Sequence, residues 1–95
     1  ALAATAALRA SEYERCIVLA GRSIAANGSH GSSYRAKAIA EVLLGRVDDA
    51  RVTVENLLRV EPHFTLQTYL ARVPPHEAKT PEFAAALKVA GLPLQ

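Results

Sequence analysis

The chain has 95 residues, 51% of them apolar but only 5% aromatic, with eleven Lys and Arg against nine Asp and Glu for a formal charge of +2. That length suits one domain, and an apolar share rich in alanine favours helices that approach closely. A single cysteine excludes an internal disulfide, the basic residues (Arg9, Arg15, Arg22, Arg35, Lys37, Arg46) are too scattered for a nucleic-acid footprint, and no run reaches the roughly 18 apolar residues of a membrane span.

The opening ALAATAAL has neither the basic start nor the cleavage pattern of a signal peptide, and Leu2 to Arg9 reads as the tail of a helix. An abrupt helical start without Met leads us to expect a piece of a longer protein. Ser11-Glu12-Tyr13-Glu14 has the capping-box form, so a helix is expected to begin with Ser11 as its cap. Its apolar positions Cys16, Leu19, Ala20 and Ile24 share one face, which places Cys16 in the core, and Asn27-Gly28 is expected to end it in the left-handed conformation.

The loop SHGSS offers Ser32 or Ser33 as the cap of a third helix running to about Leu44, closed by Gly45. Asp48 or Asp49 starts a fourth, where a carboxylate also complements the helix dipole. Ala50, Val54, Leu57 and Leu58 form its buried stripe, and Glu61-Pro62 stops it because the residue before proline is pushed out of helical geometry. Thr65 to Ala71 fits one or two helical turns, and Val73-Pro74-Pro75-His76 is a break. Thr80-Pro81-Glu82-Phe83 then reads as a threonine cap followed by proline at the first helical position. Phe83, Leu87 and Ala90 supply the buried side of that last helix, which Gly91 and Pro93 end. Nothing alternates as a strand does, since RVTVEN sits inside a helical period. The fold class expected is all-α.

Two stretches, ASEYERCIVLAGRSIAANG and LGRVDDARVTVENLLRVEP, align at a spacing of thirty-four, pairing Cys16 with Ala50, Ala20 with Val54, Ile24 with Leu58 and Gly28 with Pro62. That period, with Tyr34 at the tryptophan position, Ala38 and Ala50 at the small-residue positions, Gly45 at the turn and Pro62 at the proline, resembles the tetratricopeptide repeat. Lys37, Glu41, Val54 and Leu57 depart from the usual leucine, aromatic, phenylalanine and alanine, and Ser11 and Gly28 replace the glycine and proline of the earlier repeat. The resemblance implies antiparallel helix pairs, about two and a half repeats in residues 1–28, 32–62 and 65–95, with the helix from Pro81 to Ala90 as C-terminal cap and Lys79, Glu82 and Lys88 on its wet side.

From Tyr34 onward the chain also resembles the closing segment of bacterial proteins in which tetratricopeptide repeats follow another domain. These include class III adenylate/guanylate cyclases and winged-helix transcription regulators. Leu57-Leu58, Pro62, Phe64-Thr65, Tyr69, Arg72, Pro74 and Ala90-Gly91-Leu92-Pro93 carry this likeness. It implies the C-terminal regulatory region of a signalling protein, most like a cyclase, in the cytoplasm.

Chemistry is expected to be absent from this chain. His30, His63 and His76 fall in loops without helical-spacing partners for a metal, Ser32 and Ser33 read as caps, and the Gly28-Ser29-His30-Gly31 loop lacks the lysine and glycine spacing of a phosphate cradle. No catalytic residue, metal or cofactor is predicted. Binding is the expectation instead: in the repeat family the first helix of each pair lines a concave groove, here Thr5, Leu8, Arg9, Arg35, Ile39, Val42 and Leu43. Its two arginines suit a carboxylate. Ile39 stands where the chaperone-binding members need an asparagine, so a chaperone clamp is not expected. The partner is expected to be a protein or peptide, or another domain of the same chain, with a homodimer through the exposed N-terminal face as a further form. The competing reading is that Ile39 and Val42 simply pack against neighbouring structure.

Overall fold

A computed structural model describes residues 2–29, 31–72 and 79–95. It contains six helices: α1 Leu2–Arg9, α2 Tyr13–Ala26, α3 Gly31–Leu43, α4 Val47–Val60, α5 Leu66–Arg72 and α6 Thr80–Val89, with no strand among the described residues. The all-α expectation holds. The break predicted at Val73 to His76 lies outside the described residues.

The thirty-four-residue period seen in the sequence is also the period of the helix boundaries. Helices α2 and α4 both have 14 residues, start at Tyr13 and Val47, and are flanked by Glu12 and Asn27 in one case and by Arg46 and Glu61 in the other. The turns between paired helices repeat too. After α3, Gly45 takes φ +83, its N–H donates to the Val42 carbonyl, and the Arg46 N–H donates to that of Glu41. After α1, Ser11 takes φ 62, its N–H donates to Leu8 O, and the Glu12 N–H donates to Ala7 O. Both are Schellman turns, which satisfy the last carbonyls of a helix by means of one left-handed residue.

That geometry corrects the capping box. Ser11 ends α1 rather than starting α2, whose flanking residue Glu12 makes no side-chain cap bond. A tight reversal needs a left-handed residue at this point, and Ser11 fills it where Gly45 does in the second pair. Glu14 reaches instead to Arg46 at 2.5 Å. Other local signals shift in the same way. Asn27 is extended (φ −155) and its Oδ1 accepts from the Ser29 N–H and hydroxyl, so α2 ends without a left-handed residue there. Asp48 and Asp49 sit in the first turn of α4 rather than at its cap. Ser32 and Ser33 lie inside α3, and the Ser33 hydroxyl donates to that of Ser23 at 2.8 Å. Thr80 is the first residue of α6, and its hydroxyl is buried without a hydrogen-bond partner among the described residues.

The helices pack in sequence, α1 on α2, α2 on α3 and α3 on α4, with α1 also against α3. Helix α3 is the hub. Ala36, Ala38 and Ala40 are all buried on it, and their small side chains let neighbours close in from several sides. Between α3 and α4 lies a polar group in which two residues that depart from the repeat pattern, Lys37 and Glu41, meet Thr53. Lys37 Nζ donates to Glu41 at 2.9 Å and to Thr53 Oγ1 at 3.2 Å, while the Thr53 hydroxyl donates to Glu41 at 2.6 Å. Glu41 is 4% exposed, and both of its carboxylate oxygens have a hydrogen-bond donor, as a buried polar group requires. The departures at Lys37 and Glu41 therefore compensate one another.

Helix α6 does not lie along α4, where a cap on the end of a stack belongs. It packs on α3 and on α5. Gly91 (φ +99) closes it with a third Schellman turn, Leu92 N–H to Leu87 O and Gly91 N–H to Lys88 O, and Leu87 and Leu92 are both buried. The tail then returns to α5, where the carbonyls of Pro93 and Leu94 accept from the N–H groups of Leu66 and Gln67. These are first-turn donors with no partner inside their own helix. The tail thereby serves as the cap of α5.

Candidate functional site

Helices α1 and α3 run side by side, and each turns one face toward α5 and α6. On α1 that face carries Thr5, Leu8 and Arg9, and on α3 it carries Ser32, Arg35, Ala36 and Ile39, the spacing of successive turns on one side of a helix. Tyr69 from α5 and Phe83 from α6 close over them, leaving a cavity of about 140 Å³. Five of the seven predicted groove residues thus converge: Thr5, Leu8, Arg9, Arg35 and Ile39. Val42 and Leu43 do not reach the cavity and are half-buried against the core.

The expected open groove is nevertheless absent from this arrangement. Leu8 and Ile39 are each only 2% exposed, since the C-terminal helices lie over them. Lys79 ties the covering segment down, its ammonium donating to the carbonyl of Arg9 at 2.5 Å and to the Ser11 hydroxyl at 2.9 Å. The competing reading, in which Ile39 packs against neighbouring structure, describes its surroundings; the neighbour is the chain's own C-terminal third. Tyr69 and Phe83 were not legible as groove residues. Phe83 reads as buried from its helical spacing, but spacing does not say against what.

Beside the cavity, Arg35 and Arg72 share one carboxylate, Glu61, each at 3.3 Å. Both guanidiniums also sit over the ring of Phe64, at 5.0 and 5.3 Å from its centroid. Stacking of this kind suits the planar, weakly hydrated guanidinium. Burial holds the Arg35 pKa below the ordinary guanidinium value, against the opposing pull of Glu61. Gly31 makes room for the pairing, because a Cβ there would overlap the Glu61 carboxylate.

Cys16 is fully buried, its thiol donating to the Ala36 carbonyl at 3.4 Å, and burial, with the nearby Glu41 charge, pushes its pKa up to about 11. A thiol held protonated in this way is a poor nucleophile. His63 lies exposed in the turn after α4, while His30 and His76 fall outside the described residues. Among the described residues no cluster of His, Cys, Asp and Glu is placed to hold a metal ion, and no helix is long and apolar enough to cross a membrane.

No family model, no curated protein sequence and no solved structure matches the chain. Sequence, fold and cavity therefore carry the functional argument alone.

Proposed function

We propose that this chain is a non-catalytic protein–protein interaction and regulatory module of tetratricopeptide-like helix pairs, the C-terminal region of a bacterial adenylate/guanylate cyclase acting in the cytoplasm. The observation that carries the reading is the recurrence of α1–α2 in α3–α4: the last residues of α1 and α3, both bounds of α2 and α4, and the left-handed turn residues are each displaced by thirty-four residues. Repeat stacks bury a continuous core only where a neighbour covers each end. Here α1 is the uncovered end: Ala3, Ala6 and Ala10 lie exposed along it, although they are small and apolar. A preceding repeat, another domain of the parent or a second copy of the chain would bury that side. The likeness of the segment after Tyr34 to cyclase C-termini supports the choice of parent. The same exposed edge favours a second reading, the oligomerisation or sensor region of a winged-helix transcription regulator.

Light scattering over a concentration series tests the α1 edge. The monomer is 10.1 kDa, and the expected result is a mass rising toward the dimer in the high-micromolar range. Ala6→Arg, a change at an exposed position, should hold the chain at the monomer mass without altering its helicity. A chain that stays monomeric at every concentration, with the variant indistinguishable from it, would remove the association surface on which the reading depends.

A further inference from the structure

The cavity between the first helices of the two pairs and the C-terminal helices has an organisation of its own. Along α3 its wall changes character in one direction: Ser32 and Arg35 at one end, Ala36 next, Ile39 at the other. Leu8 and Phe83 form an apolar chamber opposite, completed by Tyr69, whose phenol acts electrostatically on Arg35, and by Thr5. Apolar cavities of about 150 Å³ admit a benzene ring, and this one measures about 140 Å³. The cavity as a whole, polar end included, is thus the size of one six-membered ring or a branched chain of similar bulk.

The polar end has capacity to spare. Guanidinium carries five N–H donors; among the described residues, Arg35 spends one nitrogen on Glu61, which Arg72 also engages, so two cations divide one carboxylate. One positive charge in that group is left unbalanced. The Ser32 hydroxyl, one turn away on the same wall, has no hydrogen-bond partner among the described residues. Arg9 at the rim is exposed, so the cavity reaches the surface.

We infer that this cavity is a binding site for a small apolar monocarboxylate, an anion with one ring or one branched hydrocarbon body, whose carboxylate meets Arg35 and Ser32 while its body lies among Leu8, Ile39 and Phe83. A few convergent polar groups at one end of an apolar chamber are the usual make-up of a small-ligand site. The anion takes the donors that Glu61 leaves open, and the hydrocarbon part fills space that the packing of α6 on α3 leaves empty. Because Tyr69 of α5 and Phe83 of α6 complete the wall, a bound acid also holds the C-terminal helices against the first four. This goes beyond the interaction reading and stands or falls separately from it, since nothing in it involves the outer edge of α1.

The test is a titration of the full isotope-labelled chain followed by backbone amide shifts. Benzoate and cyclohexanecarboxylate should saturate with dissociation constants near or below about 1 mM, the range open to so few atoms. The shifts should centre on Ser32, Arg35, Ala36, Tyr69 and Phe83. Acetate, which lacks the body, and benzyl alcohol, which lacks the charge, should each bind at least tenfold more weakly. Ala36→Leu fills the chamber and should abolish the benzoate shifts, with unperturbed amide positions in α2 and α4 checking that the hub helix accepts the larger side chain. Arg35→Gln should weaken benzoate about tenfold and leave benzyl alcohol unaffected. Were Arg35→Gln to misfold, Ala36→Leu would still decide the matter. Three results overturn the proposal: no saturable shift with either ring acid, equal binding of acetate and benzoate, or benzoate shifts that survive in Ala36→Leu. Tighter binding of N-acetylphenylalanine than of benzoate would overturn the assignment to a free small acid in favour of a peptide terminus.

Discussion

Cys16 packs between α2 and α3 with its thiol on the Ala36 carbonyl, and its chemistry follows from that location. Ionising it would put a charge where no solvent reaches and near the Glu41 carboxylate, which is why its pKa rises to about 11 from 9.0. The sign of the stability effect follows from linkage. Between those two values the unfolded chain has lost the thiol proton and the folded chain retains it, so folding is opposed by deprotonation. The contribution is intact below about pH 9 and is lost as pH rises through 11, by about 2–3 kcal/mol in all. Urea midpoints at pH 8 and pH 10.5, for the parent and for Cys16→Ala, measure it: the parent should lose more stability than the variant. Equal losses would mean that the thiol ionises freely. At pH 8 the native thiol should also resist alkylation until the chain is unfolded.

At the scale of single elements, the α3–α4 pair shows how a departure from a repeat pattern can be absorbed. Lys37, Glu41 and Thr53 satisfy one another, so removing one member strands the rest. Lys37→Leu alone leaves the Glu41 charge buried, and Glu41→Leu alone leaves a partly buried ammonium; each should cost about 2–4 kcal/mol. The double variant, which restores apolar residues at two positions where the repeat pattern has them, should recover most of that loss, with a coupling energy above about 1 kcal/mol in a double-mutant cycle. Additive losses would show that the pair is not coupled. This interface also marks the limit of what the chain order discloses. Helix number, the period and the stops at Gly45, Pro62 and Gly91 were legible because each depends on residues within one turn of the boundary. Ser11 misled because S-x-x-E is a local motif overridden by a tertiary need, the left-handed turn between two packed helices. The pairing of Lys37 with Thr53 was hidden because it joins side chains from different helices.

For the molecule as a whole, the question is whether α5 and α6 are an appendage or part of the cooperative unit. On the proposed repeat reading, two helix pairs would fall short of the roughly three repeats a stack generally needs, and Leu8 and Ile39 would face water were it not for Tyr69 and Phe83. The seven predicted groove residues follow from the repeat geometry alone, which says nothing of the helices that lie over the five meeting at the cavity. Their location depends on which apolar surface α6 finds, and no local signal specifies that. The tail supplies carbonyls to α5, Lys79 binds the turn at Ser11, and α6 lies on the hub helix. These ties run from the last third of the chain to its first helix, so the six helices should unfold together. Phe83→Ala removes a ring that is 5% exposed and should cost about 3–4 kcal/mol. Hydrogen exchange reads where that cost is felt. In a cooperative unit, the slowest amides of α2 and α3 lose protection by the same free energy as the global measurement. In an appendage, only α5 and α6 lose it and α2 keeps its original rates. The placement of Phe83 over Leu8 and Ile39 predicts the first outcome.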